Sequence, residues 1–369
     1  MIYFANPRSE YIFLKNKILR AIKKTLNSNN YVLGNEVLKF ENEFKKYIGT
    51  KYAIGVSSGT DALILSLKTL NIKKGDEIIA PSHTAYATIA SIVEVGAIPV
   101  FVDVNYDDFL MKIEDVKKKI TKKTKAVIAV HLYGNSVDIK SLRKVLNSKI
   151  KIVEDCSQSH GSVCGNIKSG SIGDLSCFSL YPTKNLSSFG DGGIVLTNNS
   201  KLYNKLKLAR EYGWRKKNIG KFHAVNNRLD ELHASILNIK LKYLEKFNQR
   251  RIKIANQYLK KIKNENIILP IKNKKNVHVY HLFVIKILYK KRDRFLKFMK
   301  KRKIIPGIHY IIPNHKQKPY LKYCNSDLKN TEKLSKEIVS LPIYPLMKKK
   351  EINHIISSIN LFKWKFGVK

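Results

Sequence analysis

Cysteine is scarce: four residues in 369, at Cys156, Cys164, Cys177 and Cys324, with no CxxC pair among them. That spacing excludes a disulfide scaffold and a zinc knuckle and predicts reduced thiols. Tryptophan is scarcer still at two, but 15 Phe, 19 Tyr and 44% hydrophobic residues exclude a disordered chain. With 18 Gly and 10 Pro, low-complexity and collagen-like chains are excluded too. No long apolar run is present. The longest uncharged stretch, Ile78–Val93, stops at Glu94 and contains Pro81, Ser82, His83 and Thr84, short of the ~20 apolar residues of a membrane span. Met1–Arg8 carries no apolar core after a basic start, so no secretory signal is expected and the cytosol is the expected compartment.

Acidic residues are the last shortage. Against 70 Lys and Arg stand 28 Asp and Glu, a net charge of +42. Such a balance raises the question of a polyanionic partner. The basic residues are spread along the chain, as in Lys117–Lys119, Arg215–Lys217, Lys290–Arg292 and Lys348–Lys350, and form no basic arm. They read as a solvated surface, with no specific nucleic-acid site expected. The field would still draw an anionic substrate, more strongly at low salt.

A chain of 369 residues is long for one domain of ~100–200 and short for three, which predicts two closely packed domains. Gly34–Phe44 has apolar residues at helical spacing, with Gly49 as a stop. Tyr52–Val56 reads as a buried strand, and Ser57–Asp61 turns from it into a helix through Ala62–Leu67. Strands follow at Glu77–Ala80, Pro99–Asp103, Ala126–Val130 and Lys151–Asp155, alternating with helical patterns. The expectation is an α/β domain whose mainly parallel sheet is covered on both faces, with ligands at the carboxyl ends of the strands. From Asn227 to about Lys263 one long helix is predicted, with Leu229, Leu232, Ile236, Leu237, Leu241, Leu244 and Phe247 on one side. Beyond Pro270, a strand over Val277–Ile285 and a helix over Arg292–Lys301 predict a smaller C-terminal α+β domain. The division falls at 1–250 and 251–369.

Three segments carry chemistry. Ser57–Asp61 is a glycine-containing turn between strand and helix, where backbone N–H groups and hydroxyls suit a phosphate, or where Ser58 or Thr60 simply caps the helix. Glu154-Asp155 ends a strand, so a carboxylate stands at the mouth of the sheet. It either caps a helix or faces a cationic ring nitrogen, with Gln158 nearby. Phe178–Leu186, followed by Gly190-Asp191-Gly192-Gly193, sets Lys184 in a proline-bent loop between apolar strands. That lysine is either a surface charge or one desolvated enough to serve as a Schiff-base amine.

In this order the segments resemble fold-type I pyridoxal-phosphate enzymes and, more narrowly, the DegT-type sugar aminotransferase family. The matching stretches run over nearly the whole chain: Gly34–Val37, Ser58–Leu63, Gly75–Ile79, Val130–Gly134, Glu154-Asp155 with Gln158 and His160-Gly161, Tyr181–Leu186, Asn226–Glu231, and His309-Tyr310 with His315 and Gln317. The resemblance implies a seven-stranded, mainly parallel sheet covered by helices. It implies Lys184 as the residue that bonds to pyridoxal phosphate and carries the proton, and Asp155 as partner of the ring nitrogen. Gln158 would contact the ring's phenolic oxygen, Gly59, Thr60 and Ser179 the phosphate, and Asn226 the phosphate from across a homodimer interface. His309, Tyr310, His315 and Arg228 would line the substrate pocket, and Arg215 and Lys216 would either meet substrate phosphates or form a solvated face.

The implied reaction moves an amino group from an amino acid, glutamate foremost, to the keto group of a nucleotide-linked sugar, feeding surface polysaccharide or related amino sugars. The chain departs from the family at three places. Ala85 stands where an aromatic commonly stacks on the ring, leaving His83 or Tyr86 to cover that face unless it is covered differently. Asn135 and His233 each replace a common Gln. These keep open an aminotransferase acting on a small ketone or a cyclitol, while the +42 charge motivates a noncatalytic cofactor- or polyanion-binding regulator. No metal is expected, because His131, His281, His309 and His315 lack paired carboxylates.

Overall fold

The computed structural model describes residues 1–273, 275–324 and 327–363. Helices α1 (Pro7–Leu26) and α2 (Asn35–Ile48) precede the alternating part of the chain. There β1 (Tyr52–Val56), α3 (Gly59–Thr69), β2 (Glu77–Pro81), α4 (Tyr86–Glu94), β3 (Ile98–Val102), α5 (Ile113–Lys119), β4 (Thr124–Val130), α6 (Ile139–Val145) and β5 (Lys151–Asp155) follow one another. Then come β6 (Leu175–Ser179), β7 (Gly193–Thr197), α7 (Ser200–Ala209), α8 (Glu231–Leu241) and α9 (Leu244–Lys261).

The seven strands form one sheet in the order β3-β2-β4-β5-β6-β7-β1. Every neighbour pair is parallel except the two made by β7, which runs against both β6 and β1. Both faces are covered, and the side chains divide with the period of two that a strand imposes. On β7 the buried Ile194 and Leu196 join Phe40, Phe44 and Leu237 on the α2–α8 side, while Val195 joins Leu63 and Leu67 on the α3 side. The α/β expectation holds.

Register brings three chain segments to one edge. Gly193, the first residue of β7, lies opposite both Val56, the last of β1, and Ser179, the last of β6. A Cβ at Gly193 would sit 2.2 Å from the Ser58 carbonyl oxygen, so only glycine permits this approach. Two sequence-distant stretches also meet in a cap. The Glu231 carboxylate at the start of α8 accepts from the backbone N–H groups of Gly34, Val37 and Glu36 at 2.8, 2.9 and 2.9 Å, satisfying the N-terminus of α2 that its own Gly34 cannot.

Beyond α9 lie β8 (Ile267–Ile268), β9 (Phe283–Ile287), α10 (Arg292–Lys301), α11 (Lys329–Glu337), β10 (Ile338–Leu341) and α12 (Lys349–Leu361). The three strands form an antiparallel sheet. It packs in a cluster with Ile254 and Tyr258 of α9, Phe295 and Met299 of α10, and Ile355 and Ile359 of α12. Position 250 falls inside α9, whose Leu244 belongs to the α2–α8 cluster and whose Tyr258 belongs to this one.

Two expected elements differ. The single helix over Asn227–Lys263 is divided: α8 ends at Leu241, and the Tyr243 N–H bonds to the Lys240 carbonyl three residues back instead of four. The Tyr243 ring packs edge-on against Phe13 of α1 at 6.0 Å, a tertiary contact at the break. The strand over Val277–Ile285 is interrupted: Val277 pairs with Val163 in a separate short strand, and the next strand begins at Phe283. Tyr280 has φ of 45° and its N–H bonds to Nδ1 of His278, a local turn that interrupts the extended chain.

Candidate active site

The convergent edge of the sheet encloses a cavity of about 190 Å³. Its wall includes Ser58, Gly59 and Thr60 at the start of α3, Asp155 at the end of β5 with Gln158 just beyond, Ser179 at the end of β6, and Lys184 and Asp191 in the β6–β7 loop. Ser58 is the N-cap of α3. Its Oγ accepts from the Asp61 N–H at 3.0 Å, while the Ser57 and Ser58 hydroxyls both donate to Asp61 Oδ2 at 2.7 Å. The capping reading and the anion reading therefore coexist, since a capped helix N-terminus still presents unpaired N–H groups and a positive dipole end. A Cβ on Gly59 would lie 2.6 Å from Ser179 Cβ and 3.1 Å from its Oγ. The glycine makes the cradle.

Asp155 is buried at the strand end. Its Oδ2 accepts from Thr88 Oγ1 at 2.9 Å and its Oδ1 from the Ser157 N–H at 3.2 Å, so the carboxylate is held from two sides. Gln158 is fixed at both ends: Oε1 accepts from the Tyr133 N–H and Nε2 donates to the Tyr310 hydroxyl, each at 2.8 Å. Burial pushes the Lys184 amine down from 10.5 to about 8, against the opposing pull of the Asp155 charge. Around it, burial foremost and then the nearby Lys184 charge hold His160 down at about 3 and His309 at about 4, while His281 falls well below its usual value. Lys184 thus shares the cavity with two carboxylates, the buried Asp155, whose charge acts on its amine, and the exposed Asp191.

The other expected residues lie elsewhere. Tyr86 is not in the cavity wall: it is 47% exposed, and its ring packs on Tyr320 at 5.1 Å. Ala85 and Ala87 line the cavity instead, and His83 lies behind it, bonded through Nε2 to the Tyr133 hydroxyl at 2.8 Å. Tyr310 reaches the site through Gln158, and His309 Nδ1 pairs with Ser340 Oγ at 2.8 Å. His315 is buried away from the cavity, with Nδ1 on Ser82 Oγ at 2.6 Å and Nε2 on Glu332 at 3.1 Å. Asn226 is exposed, and Arg228 pairs with Glu211 at 3.0 Å outside the cavity wall.

Several contributors escaped the sequence reading. Ser157 and Tyr181 line the cavity and adjoin the motifs already singled out, but no role was assigned to them. Thr88, which holds Asp155, bonds to Thr84 Oγ1 at 2.9 Å, and an i,i+4 Thr pair at a helix start was the available signal. Tyr133, which orients Gln158, had none. His131, Glu154 and Cys156 offer ligand atoms within 4.8 Å of one another. Both His131 nitrogens are already engaged, Nε2 by Glu154 at 2.8 Å and Nδ1 by the Val137 N–H at 3.0 Å, so the cluster reads as structural.

Comparison with known proteins bears on the same site. A model described as the DegT/DnrJ/EryC1/StrS aminotransferase family matches residues 13–360. The dTDP-3-amino-3,6-dideoxy-alpha-D-galactopyranose transaminase of Aneurinibacillus thermoaerophilus is 41% identical over 363 residues, covering 98% of this chain and 99% of that one. The X-ray structure of S. venezuelae DesV in complex with a ketimine intermediate superimposes with a TM-score of 0.94 at 35% identity over 97% of both chains. That of ntda from Bacillus subtilis with bound cofactor PMP gives a TM-score of 0.88 at 28% identity, over 94% of this chain and 81% of that one. The chain belongs to the DegT/DnrJ/EryC1/StrS aminotransferase family.

Proposed function

We propose that the protein is a pyridoxal-phosphate-dependent aminotransferase that places an amino group on the keto carbon of a nucleotide-linked sugar, with glutamate as donor. The observation that carries this reading is Lys184: a lysine with its amine lowered to about 8, lining one cavity with a doubly anchored buried carboxylate and the glycine-containing N-terminus of α3. The similarity to a dTDP-sugar transaminase over 98% of the chain supports the substrate class. The dense positive charge would favour its diphosphate.

The residues present fit the cofactor. The 2.6 Å approach at Gly59 leaves the α3 N–H groups and the Ser179 hydroxyl on one small anion site, as a phosphate requires. Pyridoxal phosphate supplies, when bound, a ring that accepts the electron pair left on carbon after proton loss. The chain does the rest. Gly59, Thr60 and Ser179 would hold the phosphate, and Asp155, kept in place by Thr88 and Ser157, would keep a proton on the ring nitrogen. Gln158 has one Nε2 hydrogen committed to Tyr310 and a second available to the phenolic oxygen. Lys184 Nζ, half unprotonated near pH 8, would take the proton from the substrate carbon and return it to the cofactor's C4′, the carbon on the other side of the amino nitrogen. The small side chains of Ala85 and Ala87 would face the ring where the resemblance leaves His83 or Tyr86 to cover it.

The rest of the reading follows the family resemblance. Two copies would form a homodimer, the exposed Asn226 would reach the phosphate in the partner's cavity, and Arg228 would serve the substrate pocket. A large part, 1–250, would bind the cofactor and a smaller one, 251–369, would pack on it through α9. His309 and Tyr310 would stand beside the substrate. The product would feed surface polysaccharide, made in the cytosol. Lys184→Ala tests the central role: it should abolish transamination and still bind the cofactor through the phosphate cradle, and normal turnover in that variant would sink the assignment.

A further inference from the structure

The loop that carries Lys184 runs from Leu180 to Gly192, between two strands of the sheet, and something must hold a segment of that length still. Its near limb is tied by Asn185, whose Nδ2 donates to Asn248 Oδ1 at 2.8 Å and to the Val279 carbonyl at 3.1 Å. Its far limb ends in an unusual place. Lys240 of α8, a lysine with only 2% of its surface exposed, donates from Nζ to Ser187 Oγ at 2.6 Å. The same ammonium lies 2.8 Å from Glu10 Oε2 of α1, whose side chain is 6% exposed, and 5.0 Å from the centre of the Phe189 ring. Tyr11, next to Glu10, packs edge-on against Phe189 at 6.1 Å.

A buried ion pair is poor evidence of stability, because an apolar pair of the same volume often does as well or better. A fully buried Lys–Glu pair therefore invites a reason beyond packing. This one touches the loop three residues past Lys184 and joins it to a helix more than 170 positions away in sequence, near the start of the chain. Glu10 is also close enough to Arg251 to favour its charged form against burial, and Arg251 donates to the Ile343 carbonyl at 2.8 Å. One carboxylate on α1 thus steadies a cation under the loop and a second cation that reaches the C-terminal part of the chain.

We propose that Lys240, held by Glu10, is a positioning residue for Lys184: through Ser187 it fixes the far limb of the loop, so the docking of α1 sets the placement of the Lys184 amine. The idea rests on the aminotransferase reading for its catalytic consequence, though not for the loop itself. A lysine displaced by about an ångström would lose much of its rate while the anion cradle on α3 and Ser179 stayed intact. The chain order of effects is α1, Lys240, Ser187, then the loop.

The test uses the full-length protein with Ser187→Ala, which removes the bond to the loop and leaves the Glu10–Lys240 pair. Glu10→Gln with Lys240→Met accompanies it, removing both buried charges together so that neither is stranded. Two quantities are read: backbone amide exchange over residues 185–190 without cofactor, and kcat and KM for the keto substrate with it. Ser187→Ala should raise exchange in that segment about fivefold, the equivalent of one lost buried hydrogen bond. It should lower kcat about tenfold and leave KM within about twofold, since binding groups are untouched. Variants that fold with native thermal midpoints and show unchanged exchange and unchanged kcat would overturn the proposal, as would a fall in stability alone. A parent protein with no transaminase activity would remove the functional reading, while the exchange result would still decide whether the brace holds the loop.

Discussion

Gly59→Ala isolates the physics of the cofactor cradle in one methyl group. The added Cβ would start 2.6 Å from Ser179 Cβ and 3.1 Å from both Ser179 Cα and Oγ, so the two elements must part by several tenths of an ångström. Two terms oppose each other. Alanine is favoured over glycine in a helix by up to about 1 kcal/mol, and less at its first residue. Overpacking costs about 1–3 kcal/mol, and here the obstacle includes backbone, which yields little. Overpacking should win, lowering the stability of the cofactor-free protein by about 1 kcal/mol net. The cofactor feels more, because moving Ser179 and the α3 N-terminus apart weakens a charge-assisted hydrogen bond of about 1.5–3 kcal/mol to the phosphate. That is about a 10- to 100-fold rise in the dissociation constant of pyridoxal phosphate. Urea unfolding of the cofactor-free protein and a fluorescence titration with pyridoxal phosphate measure the two. Pairing with Ser179→Gly should recover the lost stability but not the lost affinity. A Gly59→Ala protein that is more stable than the parent and binds within twofold of it would refute the reasoning.

Two further outcomes are expected. Glu231→Gln would leave one of the three N-terminal donors of α2 facing an amide N–H₂ in place of a carboxylate oxygen, at a cost of about 2 kcal/mol. The urea midpoint should fall while cofactor affinity stays, and an unchanged midpoint would show that water satisfies those groups equally well. The rate at which cofactor-free protein captures pyridoxal phosphate should rise with pH through a midpoint near 8, because only the unprotonated Lys184 amine attacks and its folded value is lowered by burial. A stopped-flow pH series that shows a midpoint near the ordinary 10.5 would place Lys184 in a solvated setting and contradict the site as described.

The parallel sheet was legible because its strands are continuous apolar runs separated by helical periodicity, and the carboxylate in the cavity wall was legible because Asp155 ends one of them. Ser58, Gly59 and Lys184 were legible as local chemistry: a cap, a missing Cβ, a lysine in a bent loop. What failed was decided across long sequence separations. Val277–Ile285 alternates like a strand, yet His278 turns back on the Tyr280 N–H, and Val277 pairs with Val163 more than a hundred residues earlier. The helix over Asn227–Lys263 has one apolar side throughout, but α1 meets it at Tyr243. His315 follows a motif that suggests a pocket. It is spoken for by Ser82 and Glu332, which no pattern in its neighbourhood reveals. Tyr86 is placed by a more local contact: at the first turn of α4 its ring packs on Tyr320, while Ala85 and Ala87 on either side line the cavity.

The most direct test of the central claim is the visible absorption of the purified full-length protein loaded with pyridoxal phosphate, read before and after glutamate is added. The account predicts a coloured protein whose band moves to shorter wavelength on glutamate addition and returns with a keto sugar nucleotide. A protein that stays colourless after incubation with pyridoxal phosphate would contradict it.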